Sequence, residues 1–232
     1  MSASPAASPR DLLLPYALPY LVYTGLGALF DPRTQPELLQ GGRALLVGAA
    51  VVWAWRYWRP LSGPKGVAGS IALGALAGVA GAALWIGLVL PFAPQAAEPW
   101  PERAWLARAL VATVYAPLVE EPLLRGWLLG LVLLFERARR AGAAAPFADA
   151  LDRGSLASIR PGEWSPLALA LSSAVFAAGH AAHEVPAALA YGLLMGALWI
   201  ARGDLVSCLS AHAVTNALLA GWVRATGQWA VW

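Results

Sequence analysis

Three charged side chains interrupt one of the most apolar parts of this 232-residue chain. Glu120, Glu121 and Arg125 lie in the stretch V-E-E-P-L-L-R-G, with R-A-L-V-A-T-V-Y-A-P-L before it and W-L-L-G-L-V-L-L-F after it. A charged side chain at the centre of a bilayer costs about 2.5–3.5 kcal/mol on insertion scales, and such residues usually face the interior of a helix bundle. We therefore expect these three residues to carry function rather than to contact lipid.

The spacing of the three charged residues predicts different roles for them. On a helix Glu121 and Arg125 are four residues apart, so they lie on one face and can pair. Glu120 is rotated by about 100° from Glu121 because a helix has 3.6 residues per turn, and it is left free for chemistry. Two adjacent carboxylates in a medium of low dielectric resist ionising together, which suits one of them to act as a general base or acid. The alternative for Glu121 and Arg125 is an ion pair with a purely structural role.

Two further pairs lie at the same spacing in later apolar runs. Phe176 and His180 share one helical face in F-A-A-G-H, and His212 and Asn216 share another in H-A-V-T-N. The second pair can offer two hydrogen-bond donors to one developing negative oxygen, which makes an oxyanion hole built from side chains. His180 can hold a water against Glu120 or share its proton. The alternatives are histidines that only pack, and a phenylalanine that forms a pocket wall or plain packing.

The segment H-A-A-H-E, residues 180–184, does not indicate a zinc protease. The zinc motif is H-E-x-x-H on a helix, and the order of residues here is different. His183 and Glu184 lie at the end of an apolar run just before Pro186. We interpret them as part of a solvated turn.

In chain order the three motifs read E-E-P-L-L-R, F-A-A-G-H and H-A-V-T-N, and they span residues 120–216. This combination resembles the CPBP family of CAAX proteases and bacteriocin-processing enzymes, also called the ABI family, which includes the type II CAAX prenyl endopeptidases. The resemblance implies a glutamate-dependent intramembrane endopeptidase with an all-helical core. Many members have an aromatic residue before the motif arginine, and Leu124 occupies that position here, which bears on substrate preference.

The resemblance also implies roles for individual residues. The implied catalytic residues are Glu120, His180, His212 and Asn216. The implied supporting residues are Glu121, Arg125 and Phe176. The first two catalytic residues would activate water and the last two would stabilise the oxyanion. We expect no cofactor and no metal, because these side chains can supply a base, a water holder and two donors; the alternative is a divalent metal held by Glu and His, in a family long described as metalloproteases.

The composition of the chain indicates the fold class that holds these residues in place. Hydrophobic residues make up 59% of the chain and charged residues 12%, whereas a soluble domain has about 25% charged residues. We therefore expect an integral membrane protein of the all-α class, a polytopic helix bundle of about seven to eight spans with the catalytic residues on central helices. The apolar runs cover residues 12–30, 44–58, 67–92, 104–140, 166–182, 186–201 and 205–223. We expect a single membrane protease domain over residues 1–232, with the motif core in residues 104–223.

The fourth apolar run is too long for a simple span. As one helix, residues 104–140 would be about 55 Å long at 1.5 Å per residue, so we expect projection beyond the bilayer or a kink near Pro117 and Pro122. The polar stretch 136–165 reads as the longest hydrophilic loop. Arg-rich loops after the second and fourth runs predict a cytoplasmic amino terminus, and no cleavable signal peptide is expected. The single Cys208 excludes a disulfide within the chain.

The net charge of +3 comes from arginines in short loops between apolar runs, which is typical of membrane topology rather than of a nucleic-acid partner. We expect hydrolysis of a peptide bond near the membrane interface of a lipid-embedded or lipidated substrate. High use of Ala, Gly, Arg and Trp indicates a GC-rich bacterial genome. It favours the bacterial cytoplasmic membrane and a C-terminal sorting signal or other membrane-anchored substrate.

Two other functions stay open at this point. The first is a transporter or proton relay, which predicts inverted repeats that are not seen in the sequence. The second is a non-catalytic bacteriocin-immunity or scaffold protein. The oligomeric state, the route of substrate access and the scissile bond are left open by the sequence.

Overall fold

The computed structural model describes residues 7–94 and 98–232, and every regular element in these residues is helical. The predicted all-α class is therefore confirmed. The α-helices of the described residues are α1 (Pro9–Leu29), α2 (Pro36–Gly42), α3 (Gly48–Ala54), α4 (Val67–Val89), α5 (Glu102–Glu121), α6 (Leu129–Arg140), α7 (Pro146–Arg153), α8 (Pro166–Ala178), α9 (Val185–Arg202) and α10 (Leu205–Thr226).

Five helical segments in the described part of the chain are long and apolar enough to cross a membrane. They are Pro9–Leu29, Pro36–Tyr57, Val67–Phe92, Ala182–Arg202 and Leu205–Thr226. Helix α8 is apolar but shorter, and the segment from α5 to α6 carries charged residues at both ends and in its middle. The predicted count of seven to eight spans is therefore not confirmed. Large apolar side chains such as Val52 and Leu76 are 78% and 69% exposed, as expected of residues that face lipid.

The second of these segments is one continuous helical stretch of changing pitch. Helix α2 passes into a π-helical turn at Arg43–Val47, which passes into α3 and a final 3-10 turn at Trp55–Tyr57. A π-helical turn widens the helix and leaves a carbonyl without its usual partner, and such turns are frequent at functional sites. Here the hydroxyl of Tyr115 on α5 donates to the carbonyl of Ala44 at 3.0 Å. This contact fixes the turn against α5.

The long helix predicted for residues 104–140 is confirmed as a continuous helical segment with an irregular centre. Helix α5 runs directly into a π-helical turn at Pro122–Leu128, and this turn runs into α6. Pro122 has no N–H to donate and its ring crowds the carbonyl four residues earlier, so an ordinary α-helix cannot continue unchanged. The wider turn resolves this conflict, and it carries Arg125 on its inner side, where the residue is buried.

Helices α4 and α10 approach each other closely because glycines face small residues. A Cβ added at Gly78 would lie 2.6 Å from the carbonyl oxygen of Ala211, a distance that no real side chain shows. The hydroxyl of Thr215 donates to the carbonyl of Gly78 at 2.9 Å across the same interface. Small residues are the usual means of close helix packing in membranes. This contact holds α10, and therefore His212, in the interior.

A tight turn between α9 and α10 lets these two helices run side by side. Gly203 adopts a left-handed φ of 68° at the end of α9, a conformation that glycine adopts without steric cost. Asp204 then caps α10 by accepting a hydrogen bond from the backbone N–H of Ser207 at 2.8 Å. Gly203 and Asp204 thus supply hydrogen bonds to the free backbone groups at the end of α9 and at the start of α10.

The polar stretch 136–165 is not a loop throughout. It contains the end of α6 and the whole of α7, so the loop prediction is wrong in those residues. Phe147, Ala150 and Leu151 recur at helical spacing, and Ala150 is buried where α7 packs against α6 and α1. Pro146 occupies the first helical position, where a missing N–H costs nothing. Asp152 and Arg153 lie on the exposed side of this short amphipathic helix.

Candidate active site

The predicted site residues come from the elements that meet at the centre of the bundle. Helix α5 ends with the two glutamates, the π-helical turn after it carries Arg125, and α10 carries His212 and Asn216. His180 lies directly after α8. Helix α10 packs along α5, and α8 packs against α9 and the π-helical turn. Residues that are far apart in the chain therefore share one region.

Glu121 and Arg125 form a fully buried ion pair. Both side chains are 0% exposed, and Nη1 of Arg125 lies 3.3 Å from Oε2 of Glu121, as the i,i+4 spacing predicts. The contact falls outside hydrogen-bond geometry, so attraction between the two charges holds it. Nη2 of Arg125 donates to the carbonyl of Gly192 at 3.0 Å, and the guanidinium carbon lies 5.7 Å from the centre of the Phe176 ring. Arg125 thus links the glutamates to α9 and α8.

His212 lies between the two glutamates. Its Nδ1 is 2.9 Å from Oε1 of Glu121, and its Nε2 is 3.9 Å from Oε2 of Glu120. An ionised carboxylate can only accept hydrogen bonds, so Nδ1 donates to Glu121 and this bond fixes the orientation of the ring. The imidazole also packs edge-on against Phe176 and Tyr191, with ring centroids 6.0 Å and 5.7 Å away.

His180 is held by its own helix turn and by two aromatic rings. Its Nδ1 lies 2.9 Å from the carbonyl oxygen of Phe176. Because a carbonyl accepts, Nδ1 carries the proton of the neutral ring and Nε2 keeps a free lone pair. The imidazole centroid is 4.6 Å from that of Phe176 and 5.2 Å from that of Trp85. Helix α8 ends at Ala178, so His180 lies beyond the helix on which the sequence places it, but its ring still contacts that of Phe176.

A cavity of about 280 Å³ opens beside Glu120 and His180. Its wall is formed by Tyr20, Tyr23, Thr24, Arg43, Glu120, Leu123, Leu124, Val175, Phe176, Gly179 and His180. The side chain of Glu120 is 15% exposed, whereas that of Glu121 is 0% exposed. Glu120 is therefore the carboxylate that a water or a substrate can reach, and Glu121 lies behind it.

Asn216 lies beside α5 and outside the wall of the cavity. Its Nδ2 donates to the carbonyl of Ala112 at 2.9 Å. The amide nitrogen carries two hydrogens, so one stays available after this bond. His212 is likewise absent from the cavity wall. The structure thus brings Glu120 and His180 to one cavity, and it places His212 and Asn216 in the layer next to it.

The turn predicted at His183 and Glu184 is present as a 3-10 turn at Ala182–Glu184. The carboxylate of Glu184 accepts a hydrogen bond from the backbone N–H of Ala181 at 2.9 Å, and Nε2 of His183 lies 3.3 Å from the carbonyl of Ala230. Both side chains are half-buried. These contacts cap the start of α9 and do not involve the cavity.

Residues 102–218 match the family model of the type II CAAX prenyl endopeptidase Rce1-like proteins. The chain belongs to this family. The match covers half of the chain and contains every residue given a catalytic or supporting role above. Membership confirms the predicted family and identifies the chain as a multi-pass membrane protease of the CAAX type. Neither the curated proteins nor the solved structures give a match.

Part of the cavity wall in this family member comes from outside the matched region. Tyr20, Tyr23 and Thr24 belong to α1, and Arg43 belongs to the π-helical turn after α2. Sequence reasoning misses all four. It begins the second apolar run at residue 44 and so leaves Arg43 outside the membrane. The signal that could have revealed Arg43 is the apolar character of the helix that begins at Pro36 and carries it.

A second group missed by sequence reasoning supports His212 from behind. The hydroxyl of Tyr191 donates to Oγ1 of Thr215 at 3.1 Å, and the Thr215 hydroxyl donates to the carbonyl of Gly78 at 2.9 Å. Tyr191 is 1% exposed. The chain of hydrogen bonds joins α9, α10 and α4, and it locks the tyrosine ring against the histidine.

Within residues 7–94 and 98–232, no three His, Cys, Asp or Glu side chains converge to hold a metal ion. Nδ1 of His180 is bonded to a carbonyl and Nδ1 of His212 to Glu121. The groups present fit a site made of hydrogen bonds and charges.

Proposed function

We propose that this protein is an intramembrane endopeptidase in which Glu120 activates a water molecule to attack a peptide bond. The observation that supports the proposal is that Glu120 of α5 and His180, just after α8, line one cavity inside a bundle of membrane helices. A peptide hydrolase needs a base, a water held against it, and donors for the oxyanion. Groups of each kind are present in or beside this cavity.

Glu120 and His180 are suited to hold the attacking water between them. The carboxylate of Glu120 accepts one hydrogen of the water, and Nε2 of His180, which has a free lone pair, accepts the other. The lone pair of the water oxygen then points away from both groups and toward the substrate carbonyl. Glu120 takes the proton as the oxygen attacks, and it later delivers that proton to the leaving amine.

His212 and Asn216 are the proposed donors to the tetrahedral oxygen. Glu121 accepts from Nδ1 of His212, and this bond orients the ring so that Nε2 lies 3.9 Å from Oε2 of Glu120. In the proposed reaction Nε2 is the atom of this ring that donates to the oxyanion. Asn216 keeps one hydrogen of its amide for the same purpose. Because both residues lie just outside the cavity wall, a bound substrate must approach them as it displaces water.

Glu121 and Arg125 hold this arrangement without touching the substrate. Their pair is fully buried, and Arg125 also binds the carbonyl of Gly192. Glu121 in turn orients the imidazole of His212. We assign both residues positioning roles, with Phe176 as the aromatic wall that separates the arginine from His180.

The proposed substrate is a membrane-anchored or lipidated protein that is cut near the membrane interface. The cavity lies among apolar helices, so a substrate that is already held in the membrane reaches it without leaving lipid. Composition typical of a GC-rich bacterium favours a location in the bacterial cytoplasmic membrane and a role in processing a C-terminal sorting signal or another membrane-bound protein. The reaction needs no cofactor, because each step uses a side chain of this chain.

The test is processing in cells. Candidate membrane proteins, each with a hydrophobic or lipidated tail and an epitope tag, are co-expressed with the wild type, with Glu120→Gln and with Glu102→Gln. Glu102 lies on the same helix, and its side chain is 81% exposed, so it is the matched control. We expect truncated product with the wild type and with Glu102→Gln and none with Glu120→Gln. Equal processing by Glu120→Gln would remove the proposal, and intact substrates in all three strains would favour a transporter or a scaffold.

A further inference from the structure

The cavity beside Glu120 also contains a positive charge that the proposed reaction does not use. Arg43 is the one lysine or arginine in the cavity wall of the described residues. Its Nε donates to the carbonyl of Tyr23 at 3.0 Å, and its guanidinium carbon lies 4.0 Å from the centre of the Tyr23 ring. These contacts hold the guanidinium plane in place within the cavity wall.

Among the described residues, the two terminal nitrogens of Arg43 have no acceptor. Within residues 7–94 and 98–232, no carboxylate lies within ion-pair distance of this guanidinium, and neither Nη1 nor Nη2 donates a hydrogen bond. Arg125, which lies next to the cavity residue Phe176, is paired with Glu121 and with a carbonyl. An arginine at membrane depth is costly unless it is paired, and residues of this kind usually mark a binding site. The empty positions on Arg43 therefore call for an anion that arrives with a ligand.

The depth of Arg43 relative to the catalytic glutamate follows from a contact on α5. The neighbouring residue, Ala44, accepts a hydrogen bond from Tyr115, and Tyr115 precedes Glu120 by five residues on the same helix. Five residues correspond to about 7.5 Å along a helix axis. An extended peptide covers about 3.3 Å per residue, so this offset corresponds to two or three residues of bound substrate.

From these observations we propose that Arg43 binds a carboxylate of the peptide substrate and thereby sets its register over Glu120. The guanidinium fork matches a carboxylate with two parallel hydrogen bonds. The carboxylate has two possible sources, the free carboxyl terminus of the substrate or an acidic side chain two or three residues from the cut bond. The proposal rests on the proposed function, because it names the feature of the substrate that the same cavity recognises.

Binding to a catalytically silent protein tests the proposal separately from hydrolysis. The Glu120→Gln variant is placed in nanodiscs of zwitterionic lipid and titrated with fluorescent peptides that carry one prenylated cysteine followed by three apolar residues. One peptide ends in a free carboxylate, the second in an amide, and the third in an amide with glutamate as its last residue. A charged hydrogen-bond pair corresponds to about a ten- to hundredfold difference in affinity, and we expect that advantage for a carboxylate-bearing peptide over the plain amide.

Variants of Arg43 then decide whether this residue is responsible. Adding Arg43→Gln should abolish the difference between acid and amide, and Arg43→Lys should retain only part of it. Gly27→Ala provides a test that keeps the charge, because a Cβ there would lie 2.8 Å from Nη2 of Arg43 and displace it. If Arg43→Gln does not fold, the Gly27→Ala variant still tests whether Arg43 binds the carboxylate. Arg56→Gln, an exposed arginine on the same helical segment, is the control and should keep the full difference.

The three peptides separate the possible sources of the carboxylate. Tightest binding of the free acid assigns Arg43 to the carboxyl terminus, and tightest binding of the glutamate amide assigns it to an acidic side chain. Equal affinity for all three peptides would overturn the proposal, as would a preference that survives Arg43→Gln. Neither of these results would bear on cleavage by the wild type, so the proposed function is judged by its own assay.

Discussion

The buried pair of Glu121 and Arg125 predicts a large loss of stability when only one partner is removed. Arg125→Met keeps most of the aliphatic length of the side chain but leaves Glu121 as a charge with 0% exposure. Breaking a buried pair in this way costs about 3–5 kcal/mol. We expect about 3 kcal/mol, the lower end of that range, because His212 still donates to the carboxylate at 2.9 Å.

The assay is the free energy of unfolding in mixed micelles of a mild detergent and sodium dodecyl sulfate. Arg103→Met is the matched control, because Arg103 pairs with Glu37 at 3.0 Å while both side chains are exposed, at 81% and 61%. An exposed pair contributes about 0–1 kcal/mol. The double variant Glu121→Gln/Arg125→Met removes both charges, so it should be at least about 1 kcal/mol more stable than Arg125→Met alone.

Two results would refute this reasoning. If Arg125→Met costs no more than Arg103→Met, the pair does not carry an uncompensated charge when it is broken. If the double variant is as unstable as Arg125→Met, the loss comes from packing of the arginine side chain and not from the charge of Glu121.

Three further predictions concern the chemistry and the surface. His212→Ala and Asn216→Ala should each lower kcat, measured per folded molecule, by about 10²–10³; a rate within twofold of the wild type would remove that residue from the mechanism. Protein that has been treated exhaustively with a chelator and dialysed should keep its peptidase rate, and a loss that a divalent metal restores would contradict the metal-free mechanism. Burial works to raise the pKa of Glu163, but hydrogen bonds from the backbone of Arg160 and the side chain of Arg137 outweigh it and hold the pKa below its usual value. The ionised Glu163 carboxylate therefore stabilises the fold above about pH 4.3, and this stabilisation is lost as the pH falls through the lowered pKa. Glu163→Gln should flatten the acid limb of a plot of the free energy of unfolding against pH. An unchanged acid limb would refute the assignment.

Much of the site could be predicted from the sequence because its pairs lie within single helices. The spacing of Glu121 and Arg125 fixes a shared face, and the structure shows the ion pair. Phe176 and His180, also four residues apart, have rings in contact although His180 lies just beyond the end of α8. A charged residue inside an apolar run has a high free-energy cost in lipid, and this cost depends on the residue and its neighbours in sequence. Such residues can therefore be recognised without a structure.

Contacts between helices could not be predicted in the same way. Glu121 and His212 are 91 positions apart, and helical periodicity does not say which helices are neighbours. The sequence therefore suggests His212 as an oxyanion donor without revealing that one of its nitrogens is already bonded to the second glutamate. Arg43 is missed because the second apolar run is read as beginning at residue 44, whereas the apolar helix begins at Pro36. In α7 a few apolar residues at helical spacing stand among many charged ones, so the sequence predicts a loop where the structure has a helix.

The most direct test of the account is the single-turnover rate of peptide cleavage by purified protein in nanodiscs, compared between Glu120→Gln and Glu102→Gln. A glutamate that takes the proton from water cannot be replaced by an amide, so Glu120→Gln should lose at least about 10²-fold in rate, while Glu102→Gln should match the wild type. Cleavage by Glu120→Gln at the rate of the control, with the same bond cut, would contradict the central claim.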